Sequence, residues 1–521
     1  MFDIDISRLL SVFTYDPANP MIFSTGLFLW LFLGFTFVYW LLSRGKGDTP
    51  RILFVTLFSY YFYYKSSGFY FGLLAVVTFT DFYLARAISQ CEAKSLAARI
   101  LVALSLLIDL SLLGYFKYTN FLGEMLWINW HHLDIFLPVG VSFFTFQSLS
   151  YTIDVYRGNI RPLNRLLDYA FYVSFFPQLV AGPIVRARDF LPQIHQPLTL
   201  TNQMLGEGIF LILSGLFKKA VISDYISVNF VERIFDQPTL YSGLENLLGV
   251  YGYTLQIYCD FSGYSDMAIG IALLLGFRFP QNFNAPYKST SITEFWRRWH
   301  ISLSSWLKDY LYISLGGNRH GKFRQYLNLL ITMLLGGLWH GASLNFILWG
   351  GIHGVLLALE KIWYSLCPGY SSLRYLHKET SVGTEPSYIV HRTSYIVHRT
   401  SYIVHCTSYI VHTLLTFHLV AACWVLFRAQ DFQIARDVFV QIFTNFHAGV
   451  FTQWLGSYAG VAFLMFLGYA LHFLPQSWSK RTQGIVTRMP LPLQALLVVL
   501  VIWIVIQVKS ADVQPFIYFQ F

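Results

Sequence analysis

The chain has 521 residues, of which 55% are hydrophobic, 18% aromatic and only 12% charged. Soluble domains are about 25% charged, so this composition excludes a soluble, disordered or disulfide-scaffolded protein and indicates one that crosses a membrane several times. The net charge of +9 is typical of a membrane protein whose cytoplasmic loops contain an excess of Lys and Arg. Because no basic cluster lies in a soluble module, we expect no nucleic-acid partner.

The chain begins with a polar stretch that precedes its first long apolar run. Residues 1–20 carry Asp3, Asp5 and Asp16 where a signal peptide would be basic, and residues 21–42 are long enough to span a bilayer. We therefore expect an N-terminal extension over 1–20, followed by a first transmembrane helix that is retained.

Further apolar runs follow one another with short polar links. The predicted spans lie near 21–42, 51–64, 68–86, 99–116, 133–152, 205–222, 245–275, 325–339, 343–366, 412–427, 456–474 and 491–509. They predict an all-α polytopic membrane protein with about 11–13 transmembrane helices.

Basic residues after alternate spans indicate the orientation. Three Lys or Arg follow each of the first, third and fifth spans, whereas the lone lysines Lys65 and Lys117 follow the second and fourth. Because Lys and Arg resist translocation, the N-terminus is expected outside and the first, third and fifth loops in the cytoplasm. Residues 278–324 contain eight more Lys and Arg and are expected on the cytoplasmic side.

The segment FYVSFFPQLVAGP, residues 171–183, has two prolines and a glycine in apolar surroundings. This pattern predicts a re-entrant or broken helix, which is tolerated at membrane depth only where protein shields the freed backbone groups.

A polar cluster interrupts the apolar run 245–275 in the sequence YCDFSGYSDMAIG. Its members are Asp260, Ser262, Tyr264 and Asp266. A cluster at this depth either lines a cavity or forms a buried hydrogen-bonded network, and the motif alone leaves both interpretations open.

Residues 291–317 have the pattern of an amphipathic helix that begins at a capping box formed by Ser291 and Glu294. The aromatic and aliphatic stripe consists of Trp296, Trp299, Leu303, Trp306, Leu307 and Tyr310. Basic residues lie opposite, so the pattern predicts an interfacial helix whose basic face meets lipid headgroups or a phosphate-rich donor such as coenzyme A. His300 lies at the edge of the stripe, and a lipid anchor without chemistry is the alternative.

The sequence LLGGLWHGASLNF, residues 334–346, contains the sharpest candidate for chemistry. His340 follows an apolar span among Gly336, Gly337 and Gly341, which allow close approach of another helix or a ligand, and Trp339 supplies a flat wall. Because histidine exchanges protons near neutral pH, His340 is a candidate catalytic residue, and a hydrogen-bonded core histidine is the alternative.

Residues 387–413 repeat the unit SYIVHRT almost without change. The repeat places His391, His398, His405 and His412 at seven-residue intervals, so a heptad helix and a histidine metal ladder are both conceivable. We interpret the copies as a duplication inside a permissive loop over 367–413. Because the five cysteines also lack a C-x-x-C spacing, no metal site is predicted.

Several of these segments together resemble one protein family. They are YCDFSGYSDMAIG, GFRFPQNFNAPY, SITEFWRRWHISLSSWLKDYLYISLGGNR, LLGGLWHGAS, PVGVSFFTFQSLSYTIDVYRG and FFPQLVAGPIVR. They closely resemble the bacterial branch of the membrane-bound O-acyltransferase family, which acetylates alginate and peptidoglycan. The resemblance implies a fold with re-entrant and interfacial helices around a central tunnel and a catalytic core over 21–366. The last three apolar runs predict C-terminal transmembrane helices over 414–521.

The resemblance also implies roles for individual residues. His340 matches the family's essential histidine and acts as general base, His300 matches a second polar position that orients the thioester, and His353 is a further candidate. The expected tunnel or substrate-binding residues are Trp339, Asp260, Ser262, Tyr264, Asn284, Arg297 and Arg298.

The implied activity is acyl transfer across the bacterial cytoplasmic (inner) membrane. The donor is an acyl thioester such as acetyl-CoA, with no permanently bound cofactor, and the acceptor is an extracytoplasmic polysaccharide. Because the segments expected outside are short, the resemblance further implies an exported esterase-type acetyltransferase as partner. The alternative is a proton-coupled transporter that relays protons through Asp260, Asp266 and His340 and binds substrate at 171–183.

Overall fold

The computed structural model describes residues 12–17, 19–126, 129–366, 393–508 and 517, with backbone alone for 393–406, and the regular elements in these ranges are helical. The helices up to residue 274 are α1 (Gly26–Ser43), α2 (Thr49–Ser67), α3 (Phe71–Gln90), α4 (Leu96–Leu113), α5 (Thr119–Leu126), α6 (Val141–Tyr156), α7 (Leu166–Ser174), α8 (Phe176–Leu179), α9 (Ala187–Ile194), α10 (Asn202–Leu216), α11 (Asp224–Ile226), α12 (Glu232–Asp236) and α13 (Gly243–Leu274). The later helices are α14 (Ile292–Arg298), α15 (Ile301–Trp306), α16 (Gly321–His340), α17 (Leu344–Leu366), α18 (Thr393–Arg428), α19 (Phe432–Thr444), α20 (Phe451–Ser457), α21 (Ala459–Phe473), α22 (Gln476–Arg488) and α23 (Leu491–Val508).

Each predicted span overlaps one of these helices, which confirms the all-α polytopic fold. Within the described ranges, six helical segments are long and apolar enough to cross a membrane, and a seventh results if the pair Ala448–Ser457 and Ala459–Phe473, bent by 100°, counts as one. Helices α6 and α13 are buried along most of their length, including polar side chains that a lipid-facing helix would expose to hydrocarbon. These two helices therefore form the centre of the protein.

The loops predicted to be cytoplasmic meet at one end of the helices. Arg165 donates from Nη2 to the hydroxyl of Thr49 across 2.9 Å, which joins the fifth loop to the first. Arg157 donates to the main-chain oxygen of Asp309 across 3.1 Å, which adds the stretch 278–324. This meeting agrees with the predicted orientation, and we refer to this end as the basic face.

The segment 171–183 is a broken helix, as predicted. Helix α7 ends at Ser174, the chain turns at Phe175 and continues as the short α8, with the segment buried throughout. Gln147 and Gln178 both donate side-chain amide hydrogens to the main-chain oxygen of Tyr172, at 2.8 and 2.6 Å. Protein groups thus satisfy the backbone that the break frees.

The predicted single interfacial helix over 291–317 is wrong. The capping hydroxyl of Ser291 does begin α14, but the helix breaks at His300, resumes as α15 and ends in a π-helical turn, Leu307–Tyr312. Trp299 and Trp306 retain 0% and 7% of their exposure, so the stripe faces protein and not lipid. Amphipathic spacing identifies the buried side of a segment without identifying what covers it.

The predicted loop over 367–413 is also corrected. Residues 367–392 lie outside the described residues, but residues 393–413 form the first part of α18, so the boundary predicted at 413/414 falls inside a helix. A seven-residue unit is close to two helical turns, and repeating it keeps equivalent residues on nearly the same face. The low helix propensity of the Ile-Val pair is therefore outweighed by its context.

Candidate active site

His340 is the last residue of α16 and is enclosed by aromatic rings. Its imidazole is 2% exposed, with ring centroids of Trp339, Trp349 and Phe427 at 5.0, 5.1 and 5.2 Å. Trp349 comes from α17 and Phe427 from α18. Phe427 lies beyond the predicted core 21–366, so the C-terminal region completes this enclosure.

The glycines around His340 allow α16 and α17 to meet backbone to backbone. A Cβ added at Gly337 would lie 2.2 Å from the main-chain oxygen of Phe346, and one at Gly350 would lie 2.2 Å from that of Met333. Contacts this close exclude any side chain at either position. At Gly337, the partner that approaches closely is therefore the helix α17, which holds the end of α16 in place.

A small pocket opens beside His340, towards the end of α6 that is opposite the basic face. It is lined by Lys117, residues 137–143, Val180, Trp339 and His340. Its volume is about 30 Å³. A cavity measured in this way needs about 10–15 Å³ to hold one water molecule, so the pocket has room for a small hydroxyl-bearing group.

His300 lies at the break between α14 and α15 in a strained conformation. Its φ is 42°, in the left-handed region that non-glycine residues seldom adopt, and its side chain is fully buried. The main-chain N–H of Ile301 donates to the carbonyl of Asn282 across 2.9 Å, and the Ser302 hydroxyl donates to the Asn282 side chain, also across 2.9 Å. These bonds hold the break, and strain maintained in this way is typical of functional positions.

The imidazole of His300 has an unusual environment for a buried polar group. Among the described residues, neither of its ring nitrogens has a hydrogen-bond partner. The nearest rings are those of Phe261 at 4.5 Å, Trp339 at 6.0 Å, and Phe143 and Phe283, both at 6.4 Å. Leaving a buried polar group unpaired costs about 1–3 kcal/mol, so a ligand that pairs with His300 would recover that cost.

Trp339 joins the two histidines. Its indole contacts His340 at 5.0 Å and His300 at 6.0 Å, and Phe143 packs on the same indole at 5.4 Å. The two histidines, forty residues apart in sequence, thus lie on either side of one aromatic wall. The structure therefore brings together Trp339, His340 and His300, three of the candidate site residues.

His353 is fully buried on α17 but has a structural partner. Its Nδ1 accepts a hydrogen bond from the indole N–H of Trp296 across 3.3 Å. Its ring packs on Trp349 at 4.9 Å, and Trp349 separates it from His340. This arrangement positions the aromatic enclosure and gives His353 no direct contact with the pocket.

The polar residues Asp260, Ser262 and Tyr264 of YCDFSGYSDMAIG do not line the pocket at His340. Asp260 forms an ion pair with Lys219 at 2.6 Å and accepts the main-chain N–H of Ile517 at 2.9 Å. Ser262 is buried, and Tyr264 stacks on Phe23 at 4.6 Å. The residue of this motif that contacts His300 is the apolar Phe261.

Asn284, Arg297 and Arg298 do not reach the pocket either. The main-chain N–H of Asn284 donates to the oxygen of Arg298 at 2.9 Å, and the Arg298 side chain pairs with Glu294 at 2.8 Å. The Arg297 side chain is exposed. These contacts brace the end of α14, from which the chain continues to His300.

The basic face carries a cavity of about 560 Å³. Its lining includes Arg161, Arg165 and Arg188. In the described part of the chain, Arg161 makes neither an ion pair nor a hydrogen bond, so its charge is available to a ligand.

Aromatic rings run from the neighbourhood of this cavity to the histidines. The guanidinium of Arg186 lies 5.2 Å above Tyr310, whose ring contacts Trp306 at 5.0 Å. Trp306 stacks on Phe146 at 4.0 Å, and Phe146 contacts Trp339 at 5.4 Å. Helix α6 runs beside this series, and its length from Phe143 to the C-cap is ~21 Å at 1.5 Å per residue.

The sequence is similar to those of known membrane proteins. The sequence profile of the membrane-bound O-acyltransferase family (MBOAT) matches residues 114–377. The chain is similar to probable alginate O-acetylase AlgI of Pseudomonas aeruginosa, with 39% identity over 436 residues, 81% of this chain and 75% of that protein. It is also similar to AlgI of Azotobacter vinelandii, with 44% identity over 352 residues, 66% of this chain and 69% of that protein.

A relative with a different named acceptor has comparable coverage. The peptidoglycan O-acetyltransferase of Helicobacter pylori is 35% identical over 464 residues, which cover 82% of this chain and 81% of that protein. The matched regions include both histidine segments described above, since the family profile spans His300 and His340.

Proposed function

The chain belongs to the membrane-bound O-acyltransferase family and is a multi-pass membrane O-acyltransferase; from this premise we propose that it moves an acetyl group from a cytoplasmic thioester to hydroxyls of an extracytoplasmic polysaccharide. The observation that carries the proposal is the pairing of His340 and His300 across Trp339, with a small pocket at His340. The acceptor belongs to the class named for the relatives, an alginate-like exopolysaccharide or peptidoglycan.

In this proposal His340 is the general base. Its imidazole takes the proton from the attacking hydroxyl as the new C–O bond forms at the thioester carbonyl. The C–S bond then breaks, and the departing sulfur takes the proton back from the imidazolium. His300, whose ring nitrogens have no hydrogen-bond partner among the described residues, orients the thioester beside Trp339. The aromatic enclosure excludes water, which limits hydrolysis of the donor.

The donor approaches from the basic face. The arginine-lined cavity suits the phosphates of a coenzyme A thioester, because guanidinium groups bind phosphate oxygens in pairs. The aromatic series beside α6 offers an apolar route for the acyl-bearing arm towards Trp339. We place the protein in the bacterial cytoplasmic (inner) membrane, with the basic face in the compartment that supplies acyl thioesters. The thioester is a substrate, and no permanently bound cofactor is proposed.

The acceptor side points to a partner protein. A pocket of about 30 Å³ at His340 has no room for a polysaccharide strand. We propose that an exported esterase-type acetyltransferase receives the acetyl group and passes it to the polymer. The catalytic unit is the core over 21–366 together with α18, because Phe427 and Trp424 pack on His340 and Trp349.

The base assignment is tested by replacing His340 in cells that make the polymer. His340→Ala should lower polymer acetylation by ~10²–10⁴-fold, because the variant lacks the general base. The matched control is His418→Ala, which removes a histidine bonded to Tyr251 outside the site. Both variants should reach the membrane at normal levels. Acetylation in His340→Ala equal to that of the wild type would contradict the assignment.

The partner is tested by expressing this chain alone in a host that makes the polymer and lacks exported esterase-type acetyltransferases. We expect unmodified polymer, and acetylation once the candidate partner is added. Full acetylation without the partner would mean that the chain completes the transfer unaided.

A further inference from the structure

The C-terminal end of α16 is held by side chains from one neighbouring turn. The last carbonyls of a helix have no partner within the helix and need one elsewhere. The hydroxyl of Tyr118 donates to the oxygen of Leu338 across 2.8 Å. The ammonium of Lys117 donates to the oxygens of Trp339 and His340, across 2.8 and 2.9 Å. Three successive carbonyls that end at His340 are therefore bound.

The donors lie on a π-helical turn, Gly114–Tyr118, between α4 and α5. Single π-turns inside helices are frequent at functional sites, since they change the direction of side chains without ending the helix. Here the turn directs two consecutive side chains, Lys117 and Tyr118, to the same helix end. From the sequence, Lys117 is expected in an outer loop, because a single lysine after an apolar run serves there only to indicate the orientation of the span.

The charge of Lys117 suits its position. The C-terminal end of a helix carries partial negative charge, so an ammonium group there is favourable. Hydrogen bonds from a charged donor are also about twice as strong as neutral ones. On the other side of His340 the chain is fixed as well, because a Cβ at Gly341 would lie 2.0 Å from the ring of Phe346. The backbone of His340 is thus held from both directions.

Lys117 also lines the pocket that His340 lines. We propose that Lys117 is a positioning residue for acyl transfer, which holds the carbonyls of Trp339 and His340 so that the imidazole stays at the pocket. The inference rests on the proposed role of His340 as base. Misplacing a catalytic group by about 1 Å can cost ~10²-fold in rate, so loss of these bonds should appear in the rate of transfer.

The test uses the full-length protein in detergent or vesicles, with acetyl-CoA as donor and the exported partner as acceptor. Lys117→Met keeps the length of the side chain and removes its charge and donors. Lys117→Arg keeps both. The matched control, Lys65→Met, removes a buried lysine that donates to the carbonyl of Thr14. Melting temperatures are measured for all variants, so that activity is compared between folded proteins.

We expect kcat of Lys117→Met to fall ~10–100-fold. The KM for the donor should change less than about twofold, because the cavity proposed to bind the donor's phosphates lies on the basic face. Lys117→Arg should recover most of the lost rate, and Lys65→Met should resemble the wild type. Wild-type kcat in Lys117→Met would overturn the inference. So would equal losses in Lys117→Met and Lys117→Arg, because the arginine supplies the same charge and donors. If Lys117→Met does not fold, the test uses Lys117→Arg and Tyr118→Phe instead. Tyr118→Phe removes only the bond to Leu338, so its kcat should fall less than the kcat expected for Lys117→Met.

His340→Ala is measured in the same assay to separate the two ideas. An active His340→Ala protein would contradict the base assignment itself. An inactive His340→Ala protein beside a fully active Lys117→Met protein would contradict only the role of Lys117.

Discussion

The indole of Trp306 stacks on the ring of Phe146, with centroids 4.0 Å apart and planes inclined by 11°. The same indole donates from Nε1 to the main-chain oxygen of Phe146 across 2.9 Å. This double contact joins α15 to α6 between the basic face and the histidines. It therefore fixes the spacing of the two elements along which the donor is proposed to reach Trp339.

Replacing Trp306 should separate the two contributions. Trp306→Phe keeps a stacked ring and loses one hydrogen bond, which is worth about 0.5–1.5 kcal/mol, so activity should remain near normal. Trp306→Ala removes a buried ring at a cost of roughly 3–5 kcal/mol and should lower both melting temperature and transfer rate. Thermal melts in detergent and donor turnover measure these effects. An alanine variant as stable and active as the wild type would refute the interpretation.

The left-handed backbone at His300 permits a test that separates conformation from chemistry. Asparagine tolerates φ near 42° better than alanine, which costs about 1–2 kcal/mol there. His300→Asn should therefore melt nearer the wild type than His300→Ala, yet both should lose ~10²-fold in transfer because neither has the imidazole that orients the thioester. Normal turnover in His300→Asn would mean that the ring has no chemical role.

A histidine on the basic face predicts a pH-dependent stability. The Nε2 of His195 lies 3.0 Å from a carboxylate oxygen of Asp168, and its Nδ1 contacts Asp48. Partial burial lowers the pKa of His195, but hydrogen bonds and charge from both carboxylates outweigh it, so the pKa is raised above 6.5. The hydrogen bond from His195 in turn lowers the pKa of Asp48 below 3.8.

The sign follows from proton linkage. A raised histidine pKa adds stability that is complete below pH 6.5 and is lost as the pH rises through the folded pKa. The melting temperature of the wild type should exceed that of His195→Gln most at about pH 5.5, and the difference should shrink towards about pH 9. His418→Gln serves as control. A difference independent of pH would show that the imidazolium does not contribute.

The cavity on the basic face predicts a binding effect that depends on phosphate. The double variant Arg161→Glu and Arg188→Glu should raise the KM for acetyl-CoA ~10-fold, with kcat nearly unchanged, because it removes the attraction between these arginines and the phosphates. The assay is made at low salt, since salt screens this attraction. Acetyl-pantetheine, which lacks the phosphates, should show no such increase. Arg99→Glu, in another basic loop, is the control. An equal increase for both donors would contradict phosphate binding in the cavity.

The sequence predicted the positions of the helices because apolar runs long enough to span a membrane leave few alternatives. His340 is a candidate from its own motif and His300 through a resemblance, but their meeting at Trp339 depends on tertiary packing that spacing does not encode. The aromatic stripe around Trp299 was assigned to lipid because lipid and protein interior select the same apolar side chains. Sequence reasoning missed Lys117 and Phe427 because their roles arise from contacts with residues far along the chain.

From Thr393 onward the SYIVHRT repeat is helical, and this determines how the protein can vary in length. One unit adds seven residues, which extends α18 by ~10.5 Å and rotates it by only ~20°. Copies gained or lost by replication slippage would thus lengthen or shorten the start of the helix while nearly preserving its angular phase. Trp424 and Phe427, whose rings pack on Trp349, would stay in register through such events. The repeat is in effect a spacer whose copy number could change at little cost to the enclosure of His340.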